Sequence, residues 1–172
     1  MRMLSSLFLA TVSLVLLLQL RGIDAALITP DTPFGILGFE LAFTGERAAA
    51  MLARWASMGV TETVRVSLGV DVAFLLAYPA MFWHGVKLLV RPDGSAFSRA
   101  GTWLGRAVVA CTPLDALENF ALWRMVETGA TNALALLAGS AASIKFLLVI
   151  FTAAWCGAAL IRLLVVRFTH GK

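Results

Sequence analysis

An all-helical, polytopic membrane protein is the fold class this chain predicts: a bundle of four transmembrane helices with an extracytoplasmic loop that carries a short amphipathic helix. Three observations predict it. Of the 172 residues, 60% are hydrophobic and 14% are charged, with a mean hydropathy of +0.87, whereas a soluble domain carries about 25% charged residues. Apolar runs approaching or exceeding the roughly 20 residues needed for a crossing recur along the chain. Lys and Arg, which give a formal charge of +4, fall mainly between or beside those runs, as membrane-flanking residues do. A nucleic-acid partner is therefore not expected. The expected partners are membrane lipids and other membrane subunits, and residues 1–172 read as a single membrane domain.

The first span covers 4–20, an uninterrupted apolar run behind Arg2. Ile23-Asp24-Ala25 would also serve as a cleavage site, but the run is long for a leader, so a retained helix is the favoured reading. From Arg21 to Arg65 the chain is mixed, and Pro30, Pro33, Gly35 and Gly38 break any helix. Within this loop, 44–58 has helical periodicity, with Ala48, Met51, Leu52 and Trp55 on one face. Thr44 is the expected N-cap and Gly59 the stop. Trp55 is expected at headgroup depth.

The second span is placed at 66–89 and the third at 103–123, joined by a basic loop in which Arg91-Pro92-Asp93-Gly94-Ser95 supplies the turn. A shorter turn leads to the fourth span, 133–160. With the N-terminus inside, the inner side carries Arg2, Lys87, Arg91, Arg99, Arg106, Arg162, Arg167 and Lys172, eight in all. The outer side carries five: Arg21, Arg47, Arg54, Arg65 and Arg124. That bias favours both termini inside.

Charge inside such spans is costly and marks a structural or functional centre. Asp115, Glu118 and Asn119 are spaced i, i+3, i+4 and so share one helix face. Lys145, in the fourth span, is the expected partner of Asp115 or Glu118. Asp71 and Tyr78 lie seven residues apart on nearly one face of the second span. Pro79 and Pro113 are expected to kink their helices. The inferred polar cavity is lined by the second, third and fourth spans, with Phe39-Glu40-Leu41 folding in above it. One lysine cannot balance every acid, so the candidate ligand-binding set is Glu40, Asp71, Tyr78, Asp115, Glu118, Asn119 and Lys145. Asp71 could instead be satisfied by Arg65. Gly139, Ala142 and Gly157 read as sites of close helix packing. Cys111 and Cys156 read as inert buried thiols, and the chain lacks metal-ligand spacing and any motif for a cofactor or a named reaction. No metal and no cofactor are expected.

The segments Thr32-Pro33-Phe34-Gly35-Ile36-Leu37-Gly38-Phe39-Glu40-Leu41-Ala42, Glu46-Arg47-Ala48, Ser67-Leu68-Gly69-Val70-Asp71, Ala77-Tyr78, Leu114-Asp115-Ala116-Leu117-Glu118-Asn119 and Lys145-Phe146 resemble an uncharacterised group of bacterial four-helix integral membrane proteins. That resemblance implies a multi-pass protein of the bacterial cytoplasmic membrane and gives Glu40, Glu46 and Arg47 added weight. It brings no activity. A likeness in fold alone, four helices with embedded acids, extends to the sterol-isomerase and sigma-receptor-like superfamily. Three functions follow as expectations: a site that binds or transforms a small lipophilic ligand, a structural subunit of a larger membrane complex, and proton or cation movement, in that order.

Overall fold

The computed structural model describes residues 2–170, with side chains placed for 4–165. Lys172, and the side chains of Arg2 and Arg167, all of which enter the charge count, lie outside the described residues. The fold is helical throughout the described residues, without a strand: α1 (Arg2–Asp24), α2 (Gly35–Glu40), α3 (Gly45–Ser57), α4 (Thr61–Leu89), α5 (Ala96–Ala107), α6 (Cys111–Thr128) and α7 (Asn132–His170). Two 3₁₀ turns, Ala25–Leu27 and Val108–Ala110, follow α1 and α5.

Three stretches are long and apolar enough to cross a membrane: Leu4–Leu27, Thr61–Leu89 and Asn132–Val165. The fourth long segment, α6, has 18 residues and carries Asp115, Glu118, Arg124 and Glu127. It is held by its neighbours, packing chiefly on α7 and then on α4, while α1 packs on α4.

The stretch read as a third span at 103–123 is divided. Residues 96–107 form α5, the chain tightens into the turn at 108–110, and α6 begins at Cys111. Pro113 explains the break. It has no N–H to bond the carbonyl four residues back, so a helix running through 109–113 would lose a bond and clash. In the first turn of α6 that N–H has no helical partner in any case, and no mid-helix kink arises there. Pro79, by contrast, lies inside α4 and leaves the Leu75 carbonyl without its helical donor. Thr112 Oγ1 supplies one at 3.1 Å, tying the start of α6 to α4.

The loop folds into one core with the near ends of α4, α6 and α7, where Phe39, Met51 and Trp55 meet Val64, Leu122 and Ala138. Thr44 caps α3 by accepting from Arg47 N at 3.3 Å, and Gly59 ends the segment at φ +71°, a conformation that favours glycine. The apolar face of α3 turns inward. Trp55 is fully buried against Phe39 and donates to the Leu27 carbonyl at 3.0 Å, so it is a core residue and not a headgroup anchor. Arg65 is taken by Glu62 and, at 2.8 Å, by Glu127, which leaves Asp71 to another partner.

Gly139 opens space for a loop side chain: a Cβ there would stand 2.7 Å from the Phe43 ring. Around Gly157, a Cβ would meet nothing within 4 Å, so that position sets no close contact. At the opposite end α5 lies on α4 and α7. Gly101 faces the Trp155 ring so closely that no Cβ fits, and Phe97 stacks on Trp155 at 5.1 Å.

Candidate functional site

Periodicity carries the polar residues of three helices to one place. On α6, Asp115, Glu118 and Asn119 share a face that points into the bundle, and Asp115 and Glu118 are each 1% exposed. Lys145 of α7 reaches across to both. Its Nζ donates to Asp115 Oδ1 at 2.7 Å and stands 2.7 Å from Glu118 Oε2. The second contact is misaligned for hydrogen bonding, so this buried Glu118 oxygen has a cation beside it but no donor aimed at it. From α4, Tyr78 donates to Asp115 Oδ2 at 2.9 Å. Asp115 thus receives two donors, while Asn119 Nδ2 donates to Asp71 Oδ2 at 2.6 Å.

Six of the seven expected residues therefore form two adjoining groups: Tyr78–Asp115–Lys145, hydrogen-bonded and ion-paired through Lys145 to Glu118, and Asp71–Asn119. The seventh, Glu40, ends α2 and faces the same space. Burial, and after it the Glu118 carboxylate, push the Glu40 carboxyl well above its usual range. Lys145 opposes the shift, and Asp71 and Asp115 add to it. Phe39, expected to fold in beside Glu40, instead belongs to the core that the loop shares with α4, α6 and α7.

All of the expected residues except Glu118 form one wall of a cavity of about 620 Å³, within the 300–1,000 Å³ usual for small-molecule sites. Most of the lining is apolar: Leu14 and Leu17 of α1, Phe74 and Phe82 of α4, Phe146 and Val149 of α7, and Phe34, Ile36 and Leu37 above. Its sides are α1 and α7, and α1 packs on α4 rather than on α7. Leu14, Leu17 and Leu37 beside the opening are exposed. The exposed part of its rim is apolar at Leu14, Leu17 and Leu37 and charged at Arg21.

No family model, curated protein or solved structure matches this chain.

Two residues outside the expected set, Asp24 and Ser13, also line the cavity. Asp24, at the end of α1, accepts from Ser67 Oγ at 2.7 Å and faces the cavity. Ser13 is 4% exposed, lines the cavity, and its Oγ has no partner. The expected cavity had three walls. The structure adds α1 as a fourth. A signal was present: Ala10, Ser13, Leu17, Leu20 and Asp24 recur at helical spacing, and Ser67, Asp71, Phe74, Tyr78 and Phe82 make the matching stripe on α4. Among the described residues no cluster of His, Cys, Asp or Glu is arranged to hold a metal ion.

Proposed function

We propose that the protein is a multi-pass protein of the bacterial cytoplasmic membrane, with α1, α4, α6 and α7 as its four spans and both termini inside. Its function is to bind a small lipophilic molecule. The molecule enters sideways from the bilayer between α1 and α7, lays its apolar part along Leu14, Leu17, Phe74 and Phe146, and brings a polar end to Asp71 and Glu40. The observation that carries this reading is the 620 Å³ cavity, with an apolar lining and a polar wall at one side.

A polar network that served packing alone would be closed and dry, since buried polar groups left half satisfied cost stability. Here Asp71, Asp24 and Glu40 keep part of their surface open to the cavity. The inner part, Asp115–Lys145–Glu118, is structural in character and holds the open part in place.

The test is purification of wild type and Asp71→Asn under gentle solubilisation, followed by native mass spectrometry. Wild type is expected to carry a lipophilic molecule of defined mass, and the variant to carry less of it. A wild-type spectrum that shows the bare chain, or the same mixture of bulk lipids as the variant, contradicts the proposal.

A further inference from the structure

We infer that the occupant of the cavity is a cationic amphiphile, a long-chain amine whose ammonium group sits between Asp71 and Glu40. The inference rests on the ligand-binding reading above and specifies the head that the site accepts.

The argument is one of charge balance. The charged groups on the cavity are Asp24 and Arg21 from α1, Glu40 from α2, Asp71 from α4, Asp115 from α6 and Lys145 from α7. Lys145 is committed to two acids at 2.7 Å each, Asp115 and the Glu118 behind it. Arg21 is exposed at the mouth, beside Asp24. Asp71 and Glu40 form no ion pair among the described residues, and the one donor to Asp71 is the neutral amide of Asn119. Both face the same cavity, and the one lysine on it is already shared between Asp115 and Glu118, so their two charges lack a cation of their own. An ammonium group supplies the cation and three donors.

Ser13 points to a ligand independently. A hydroxyl that is nine-tenths buried and unpartnered among the described residues is uncommon, and this one lines the same cavity from α1. A fatty acid would add a negative charge to an acidic wall. An alcohol would satisfy donors but leave the charge unbalanced.

The experiment uses the full chain in nanodiscs of neutral phosphatidylcholine and measures the rise in unfolding midpoint with three probes of equal chain length: hexadecylamine, hexadecanol and palmitate. The amine is expected to act at a concentration at least tenfold below the alcohol, and palmitate to have no effect. Lowering the pH from 8 to 5 should weaken the amine several-fold, because protons replace it on Asp71 and Glu40, and should leave the alcohol unchanged. Asp71→Asn and, separately, Glu40→Gln should each cut amine affinity about tenfold and spare the alcohol.

An alcohol as potent as the amine, or an amine indifferent to pH, overturns the cationic head while leaving the cavity proposal standing. Palmitate acting best overturns the sign of the site. No response to any of the three overturns the cavity reading together with this inference. The pH arm uses wild type alone, so a variant that fails to fold does not remove the test.

Discussion

Lys145→Met removes the single cation from a site with two buried acids and keeps the length of the side chain. In the wild type the charge of Lys145 offsets one of the carboxylates beside it, at 2.7 Å. In the variant that acid must take a proton or remain charged and unpaired. Protonating a carboxyl of ordinary acidity, pKa about 3.9, costs about 4 kcal/mol at pH 7 and about 1.5 kcal/mol at pH 5, at 1.36 kcal/mol per unit. The neutral-pH figure agrees with the ~3–5 kcal/mol seen when one partner of a buried ion pair is removed. A loss of that size lowers the unfolding midpoint of a chain this long by on the order of 10 °C. The assay is tryptophan-monitored thermal unfolding in detergent at pH 7 and pH 5. The deficit should shrink by more than half at the lower pH, and Lys145→Met combined with Asp115→Asn should recover much of it. A variant as stable as wild type at pH 7, a deficit independent of pH, or a double variant worse than the single one would refute the reasoning.

Further expectations test the rest of the framework. Gly101→Ala puts a methyl group into the Trp155 ring, 2.1 Å from its nearest atom. It should cost about 3 kcal/mol or more, at the upper end of overpacking, and make 91–107 more open to limited proteolysis. Thr112→Val leaves the Leu75 carbonyl without a donor, a loss of about 1–3 kcal/mol. Adding Pro79→Ala restores the N–H of the helix and should make Thr112→Val nearly neutral, as a double-mutant cycle of midpoints would show. Glu40 has a folded-state pKa above its unfolded value, so its contribution is fully present below the unfolded pKa and is lost as pH rises through the folded one. Exchange-corrected amide protection of 35–40 should therefore fall between pH 5 and pH 8 in wild type. It should stay level in Glu40→Gln.

Much of the framework can be read locally. The cap at Thr44, the stop at Gly59 and the inward face of α3 follow from residues within a turn or two of each other. The shared face of Asp115, Glu118 and Asn119 follows from helical spacing, and Lys145 as their partner from the cost of an unpaired charge. What is not legible depends on pairing between distant segments. Asp24 reads as the tail of an apolar run, and its place on the cavity depends on Ser67, 43 residues on. Trp55 has the composition of an interfacial anchor, and its burial depends on the Leu27 carbonyl. Pro113 signals a disturbed helix but not whether the outcome is a kink or a break; the turn at 108–110 resolves it by placing proline in a first turn. Phe43, at φ +59°, fills the space at Gly139, a contact that no periodicity anticipates.

The central claim is that a lipophilic molecule occupies the space between α1 and α7. Photolabelling tests it most directly: a diazirine-bearing long-chain amine is incubated with the full chain in nanodiscs, irradiated, and its sites are mapped by peptide mass spectrometry. Labels should fall on Leu14, Leu17, Phe74 and Phe146, which line the cavity, and should be displaced by excess unlabelled hexadecylamine. They should be lost in Leu17→Trp, which fills the space. Labels confined to the outward face of α7, at Leu147 and Ile150, which are 54% and 60% exposed, and insensitive to competitor would contradict it.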